Sequence, residues 1–468
     1  MSTENLPSSP SRSAAPGRRD LLRWGAGGAA ALSLPALLTA CGAGSDDPAG
    51  GGEASATPVS ASEREAALSA TSTLTVWDWV SGVEKQTALF EQKYPNITVN
   101  LENVGNGAPH YAKVRTAAKA GSGGADVVQM EYQFINSFVV TGSLLDLAPL
   151  GGSELSSMYP EWVWQQVSRD ARVYGIPGDQ GPMGILYRDD LFQSAGVGQL
   201  ATWNDFTTAA SAVRAGGGYI TNLPPNNPGE LMGLFWQAGA KPFTYDGGKT
   251  VGVDLVNDTT SQVISYWQDL IDQDLVSVDP DFTDAWYQGL ASGKYASWLT
   301  AAWGPTFLQG YAGSTAGSWR ATGLPQWSAG QEVNGNWGGS SFAVMKTSKN
   351  PIAAFELAKF LNSDPTSVRV ASDELFLYPT LQSVLEDPAF LDQPAAFYGG
   401  QTVNRTFADL SKTVDTDFDW LPYIDYAYTN FNDTLGKVIS EKGELADGLQ
   451  QWQEALVSYG EKQGFTIR

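Results

Sequence analysis

The chain has 468 residues, 42% of them hydrophobic and 17% charged, with 28 basic against 50 acidic side chains and a formal charge of −22. That length calls for two cores rather than one, and the acidic balance excludes a nucleic acid or an anionic membrane surface as a partner held by charge. One cysteine and one histidine exclude an intrachain disulfide and leave almost no ligands for a zinc site.

Residues 1–15 are polar and rich in Ser and Pro. Arg18, Arg19 and Arg23 then precede or open an apolar run over 24–40, the pattern of an export signal. Consecutive arginines followed by Leu21-Leu22 resemble a twin-arginine signal. The run is short for a membrane span and carries Gly25, Gly27, Gly28 and Pro35. It ends Leu38-Thr39-Ala40-Cys41-Gly42, which resembles a bacterial lipobox. That resemblance implies a signal peptide over 1–40 and acylation of Cys41, and two or more acyl chains hold a protein at a bilayer where one does not. Residues 41–72, rich in Gly, Ala, Ser, Asp and Pro, read as a flexible tether.

From Thr73 the texture changes. Leu74-Thr75-Val76-Trp77-Asp78-Trp79 is a strand pattern. Val83, Thr87, Phe90 and Tyr94 follow at helical spacing, stopped by Pro95-Asn96, and Ile97, Val99 and Leu101 then alternate as a second strand. This unit predicts a parallel pair with a right-handed crossover. A surface loop over 105–110, which contains His110, leads to a helix over 113–120 and a buried strand over 125–130. Strands are expected over 173–176 and 184–187. Thr202-Trp203-Asn204-Asp205 resembles a capping box opening a helix to about Arg214. A further helix is expected over 231–238 and a strand over 342–345. Asn350 and Pro351 suit an N-cap and first helical position before Ala354, Leu357, Ala358 and Leu361, and 423–459 reads as helical. The sum is an α/β fold in two lobes.

The order and spacing of several stretches resemble the extracellular solute-binding proteins of ABC importers, in the branch that binds maltose and other oligosaccharides. They are 74–104, with its Tyr94-Pro95-Asn96-Ile97; Gly124-Ala125-Asp126-Val127-Val128 leading to Leu144-Leu145-Asp146-Leu147; Tyr174-Gly175-Ile176-Pro177 through Leu186-Tyr187-Arg188-Asp189-Asp190 to Thr202-Trp203-Asn204-Asp205-Phe206; and Asn336-Trp337-Gly338-Gly339 leading to 351–362. The resemblance implies a periplasmic-binding-protein-like fold with ligand held in a cleft between lobes. One lobe would be 73–178 plus about 342–377, the other about 179–341 plus about 378–468. Chain crossings would fall near 177–181, 338–342 and 377–380, with closure a hinge motion. It further implies a non-enzymatic monomer without a cofactor, lipid-anchored at the outer face of the cell membrane, whose partners are a carbohydrate and ABC permease domains.

A sugar site needs aromatic plates for C–H faces and firmly held acceptors for hydroxyls. Trp77, Asp78 and Trp79 end the first strand, where adjacent side chains point to opposite faces. Glu131 follows the strand over 125–130 in the same way, with Tyr132 beside it. Asp179 and Gln180 sit on the first crossing, Trp236 on the helix 231–238, and Asn336, Trp337 and Gly338 beside the second crossing. The resemblance adds Trp303, before Gly304-Pro305, and more weakly Trp420. The same fold could take glycerol phosphate, a polyamine or iron. A lipid-anchored glycoside hydrolase using a carboxylate pair such as Glu131 and Asp179 is the alternative from another class. Asp415, Asp417 and Asp419 alternate like a calcium loop, but Trp420 stands where the loop needs glycine, so no metal is expected.

Overall fold

The strand–helix–strand pattern that opens the folded region forms one edge of a five-stranded sheet. In the computed structural model, which describes residues 58–375 and 377–468, strand β1 (Ser72–Trp77), helix α2 (Glu84–Lys93) and strand β2 (Ile97–Glu102) follow helix α1 (Ala61–Ser69). β1 and β2 pair in parallel, Ser72 opposite Ile97 through Trp77 opposite Glu102. Helix α3 (Ala108–Ala120) crosses to β3 (Val127–Glu131), parallel to β1 on its other side. The export signal, Cys41 and the first part of the tether lie outside the described residues.

The chain then leaves this sheet and returns to it. Strand β4 (Ile176–Pro177) leads into β5 (Met183–Arg188), the centre of a second, three-stranded antiparallel sheet. Helices α4 (Trp203–Ala215), α5 (Pro228–Gln237) and α6 (Asp284–Ser292) lie between β5 and its partner β6 (Ser297–Ala301). Helix α7 (Gly304–Tyr311) and β7 (Trp319–Thr322) complete that sheet. Strand β8 (Ser340–Val344) re-enters the first sheet antiparallel to both β3 and β4, so the order there is β2-β1-β3-β8-β4. Helix α8 (Pro351–Ser363) packs behind it, and the C-terminal helices include α9 (Ile424–Phe431) and α10 (Leu445–Lys462).

Local chemistry explains these elements. Thr202 and Asp205 make the capping box at α4, with hydroxyl and carboxylate reciprocally bonded to the backbone. Pro351 occupies the first turn of α8, and Ala354, Leu357, Ala358 and Leu361 all bury on the face turned to Val76, Val127 and Val344. Strands β3 and β8 are buried almost throughout, because helices cover both sides of the sheet.

Part of the tether expected over 41–72 is a helix instead. α1 starts with a Ser60–Glu63 capping box, and Arg64 pairs with Glu356 of α8 while donating to the Leu150 carbonyl at 2.7 Å. No residue of α1 is fully buried. It is held by a cap, an ion pair and the half-buried Val59 and Leu68, and its polar composition conceals all three.

Between the two sheets, three extended segments run side by side. Gly178 N donates to the Ser340 carbonyl at 2.8 Å, Trp337 N to that of Gly181 at 2.8 Å, and Gln180 N to that of Tyr378 at 3.1 Å. Asp179 pairs with Pro379 and Pro182 with Asn336 as isolated bridges. Gly181 is required by this approach, since a Cβ there would lie 2.0 Å from the Trp337 carbonyl oxygen.

Candidate functional site

The C-terminal ends of β1 and β3 lead to a cavity of about 850 Å³, the place where open α/β sheets take ligands. The crossings contribute Asp179, Trp337, Gly338 and Ser340 to its lining; the first sheet contributes Trp79, Gln129 and Glu131. Across from them stand Asn227, the N-cap of α5, together with Phe282, Trp303 and, on α7, Thr306, Phe307 and Tyr311. Asp425 and Tyr428 of α9 close one end. No Lys, Arg or His is among the described residues that line it.

The aromatic wall is built by mutual packing. Trp303 meets Trp337 edge to face at 4.9 Å, and its Nε1 donates to the Trp337 carbonyl at 2.8 Å. The Trp337 ring lies over the first turn of α5, where a side chain on Gly229 would collide with its indole nitrogen. Phe282 touches both indoles. Such rings are held before any ligand arrives.

The carboxylates are equally constrained. Asp179 Oδ1 accepts from Ser340 N at 2.8 Å. Burial pushes Asp179 up to about 7, with Glu131 adding and the Ser340 hydrogen bonds opposing. Asp78 lies just beneath, 3% exposed, accepting from Val80 N at 2.7 Å. It is also raised to about 7, by burial first and by Asp179 in smaller part, against its backbone hydrogen bonds. Glu131 accepts from Tyr111 Oη at 3.0 Å and Gln133 Nε2 at 3.1 Å, and burial raises it against those bonds. Asp425 is paired with Arg115.

Of the residues expected from the sequence, Trp79, Glu131, Asp179, Trp303, Trp337 and Gly338 meet in this one cavity. The others do not line it. Trp77, two residues before Trp79, faces the core and donates to Glu102 at 2.9 Å. Trp236 stacks on Phe418 at 4.3 Å and donates to the Asp415 carbonyl at 2.8 Å, on a helix that is buried on every side. Gln180 binds crossing to helix instead, donating to the Pro379 carbonyl at 2.6 Å and accepting from Ser411 Oγ at 2.6 Å. Asn336 accepts from Gly181 N and donates to the Gly338 carbonyl, so its amide shapes the crossing. Trp420 is core, donating to Gln166 at 2.7 Å.

His110 is corrected more sharply. It is not on a surface loop but fully buried in the first turn of α3, because the helix begins at Ala108. Its Nε2 donates to the Gln129 carbonyl at 3.1 Å, its ring meets Trp79 at 4.7 Å, and burial lowers it to about 4. Gln129, Asn227, Phe282, Phe307, Tyr311 and Tyr428 were not expected at the site. Phe307 and Tyr311 did carry a signal: they stand four apart, so their rings share one side of the helix. Asp417 and Asp419 turn to Lys241 and Arg169 rather than to a common centre, and the described residues hold no metal-ligating group of three or more.

A two-lobed α/β protein with crossing strands between its sheets and a ligand-sized cleft above them is a solute receptor of the periplasmic-binding type. The chain belongs to the bacterial extracellular solute-binding proteins, whose family model matches residues 78–367. It is 32% identical to a binding protein associated with an ABC transporter of B. animalis subsp. lactis Bl-04, solved with beta-1,6-galactobiose. That match covers 85% of this chain and 99% of the other at a TM-score of 0.75. The galacto-N-biose-/lacto-N-biose I-binding protein of Bifidobacterium longum, at 22% identity, has the same fold over 85% of this chain and 98% of its own, TM-score 0.74. A lactose-binding protein of Rhizobium radiobacter is 24% identical over 383 residues, 77% of this chain and 86% of that protein. Among the described residues no helix is long and apolar enough to cross a membrane.

Proposed function

We propose that this chain captures a neutral oligosaccharide outside the cell and delivers it to an ABC importer. The observation that carries the reading is the lining of the cleft: Trp79, Trp303 and Trp337 offer flat apolar faces, while Asp179, Glu131 and Gln129 offer acceptors and an amide, without one cationic side chain. Pyranose rings need that combination, and an anionic sugar or a phosphate would find no cation among the described lining residues to pair with. In this reading sugar enters the open cleft, its C–H faces stack on the indoles, its hydroxyls donate to Asp179 and Glu131, and the lobes close about the crossings. Permease domains in the membrane then take the closed form. The chain is a receptor and not a hydrolase: Glu131 and Asp179 each spend hydrogen-bonding capacity on Tyr111, Gln133 and Ser340. Acylated Cys41 holds it at the outer face of the membrane, after export by a twin-arginine route.

The test is a thermal-shift screen over neutral mono- to tetrasaccharides, with oligogalacturonides as the anionic control and chromatography of the recovered sugar. The expected result is stabilisation by neutral oligosaccharides alone, recovered uncleaved. Stabilisation only by the anionic series, or cleavage of the sugar, overturns the proposal. The anchor is tested apart, by fractionating cells that carry Cys41→Ala: release to the medium or an uncleaved precursor is expected, and a mature chain still held at the membrane refutes it.

A further inference from the structure

Large apolar side chains left open to water on a soluble protein mark contact surfaces when they cluster. The large hydrophobic residues most exposed among the described ones include Phe282, Phe307 and Tyr311, at 39%, 46% and 56%, and all three lie on the cleft. Phe307 and Tyr311 are one turn apart on α7, which is anchored from within by the buried Leu308. Neither ring is loose. One face of Tyr311 is stacked on Tyr287 at 3.6 Å and 12°, leaving the other open, and Phe307 stands edge-on against Trp303 at 5.7 Å. Phe282 holds a left-handed backbone, φ 54°, that an aromatic residue adopts only under constraint, and this keeps its ring against Trp303 and Trp337. The aromatic surface thus continues from the Trp303–Trp337 corner through Phe307 outward along α7 to Tyr311, one helical turn further on.

We propose that the outer face of α7 is an extension subsite, in which Phe307 and Tyr311 stack on a third sugar ring beyond two held at Trp303 and Trp337. The occupant follows from continuity with the cleft: a ligand lying on the inner indoles has its next ring over this platform. The platform carries Thr306 and Gly310 but no charged group. It therefore reads ring faces and length rather than the pattern of hydroxyls. This rests on the oligosaccharide reading above and adds ligand length to it.

The experiment is calorimetry with β-1,6-galactobiose and its three- and four-ring homologues, on the wild type and on Phe307→Ala, Tyr311→Ala and the double variant. The wild type is expected to bind three rings at least fivefold tighter than two, with little further gain for four. Each single variant should reduce that ratio, and the double variant should bring it to within twofold of unity. Ligand-free melts should stay close to the wild type, because both side chains are about half exposed; a melt shifted by many degrees would make the pair structural and overturn the assignment. A wild-type affinity that does not rise from two rings to three, or variants that weaken both lengths equally, would overturn the subsite and leave the receptor reading standing. No binding by any member of the series, with neutral sugars also inert in the thermal screen, would overturn both.

Discussion

At the scale of the residue, the cavity is walled by side chains that also pack the fold. Trp337 is 8% exposed, yet it contributes to the cavity wall. Trp337→Ala is therefore expected to weaken binding of the best sugar by about 1–3 kcal/mol, roughly ten- to a hundredfold. It should also lower ligand-free stability by about 3 kcal/mol, as truncation of a buried tryptophan does. Calorimetry and denaturant melts on one preparation test both, and a loss in stability alone would remove Trp337 from the site. The buried acids make a separate prediction. Folded Asp78 and Asp179 keep their protons up to about pH 7, against an ordinary value of 3.8. The stability each contributes is complete below about pH 4 and is lost as pH rises through about 7. Burial also raises Glu131, Glu230 and, to about 6, Asp281. His110 has the opposite sign, its contribution being lost as pH falls from 6.5 through about 4. Carboxylates lowered by cationic partners, such as Asp190, Asp274 and Asp279, titrate below this window. The melting temperature should fall from pH 5 to 7.5, and Asp179→Asn, whose amide oxygen can still accept from Ser340 N, should flatten the fall. Parallel curves for variant and wild type would show that Asp179 is already ionised at pH 5.

At the scale of the element, α1 depends on few contacts. Arg64 is about one quarter exposed, while the side chain of its partner Glu356 is 8% exposed and among the described residues otherwise pairs only with Lys359, 3.6 Å away. Arg64→Ala leaves a buried carboxylate short of its main partner and is expected to cost about 1–3 kcal/mol. Combining it with Glu356→Gln should recover part of that loss, because the orphaned charge is gone. Chemical denaturation of the two single variants and the double variant measures the coupling, and strict additivity would mean that the pair contributes nothing. α7 works differently. It buries Leu308 while the neighbouring Phe307 and Tyr311 line the cleft, so core and cleft residues stand side by side on one helix.

At the scale of the whole molecule, the proposed closure of the cleft would turn on the segments between the sheets. Gly181 and Trp337 touch backbone to backbone where two crossings meet, and Trp303 closes against the same point. Gly181→Ala would force these strands apart. It is expected to lower sugar affinity at least tenfold while the far-UV circular dichroism stays native. Small-angle scattering should record a smaller radius of gyration for the wild type with sugar than without, and a reduced or absent change in the variant. An unaltered affinity and contraction in Gly181→Ala would mean that the crossings tolerate separation and that the hinge lies elsewhere.

The sequence by itself determined what local chemistry can determine. The parallel strand–helix–strand start, the capping box at Thr202 and Asp205, and the buried stripe of α8 follow from periodicity and capping, which act over a few residues. Six expected residues do line the cavity: Trp79 and Glu131 stand at strand ends, while Asp179, Trp337 and Gly338 at the crossings, and Trp303, rested on the family resemblance. Tertiary structure decided the rest. An alternating strand has two faces, and nothing local said that Trp77 would turn to the core and Trp79 to the cleft. Trp236 has the composition of a stacking residue, but Phe418, from far along the chain, covers its ring. His110 looked like a loop residue until α3 was packed over β3. Phe282 gave no sign at all, since its place depends on a strained turn held by five aromatic neighbours. Short-range order is written in spacing and caps; which ring meets ligand and which meets core depends on contacts between segments hundreds of residues apart.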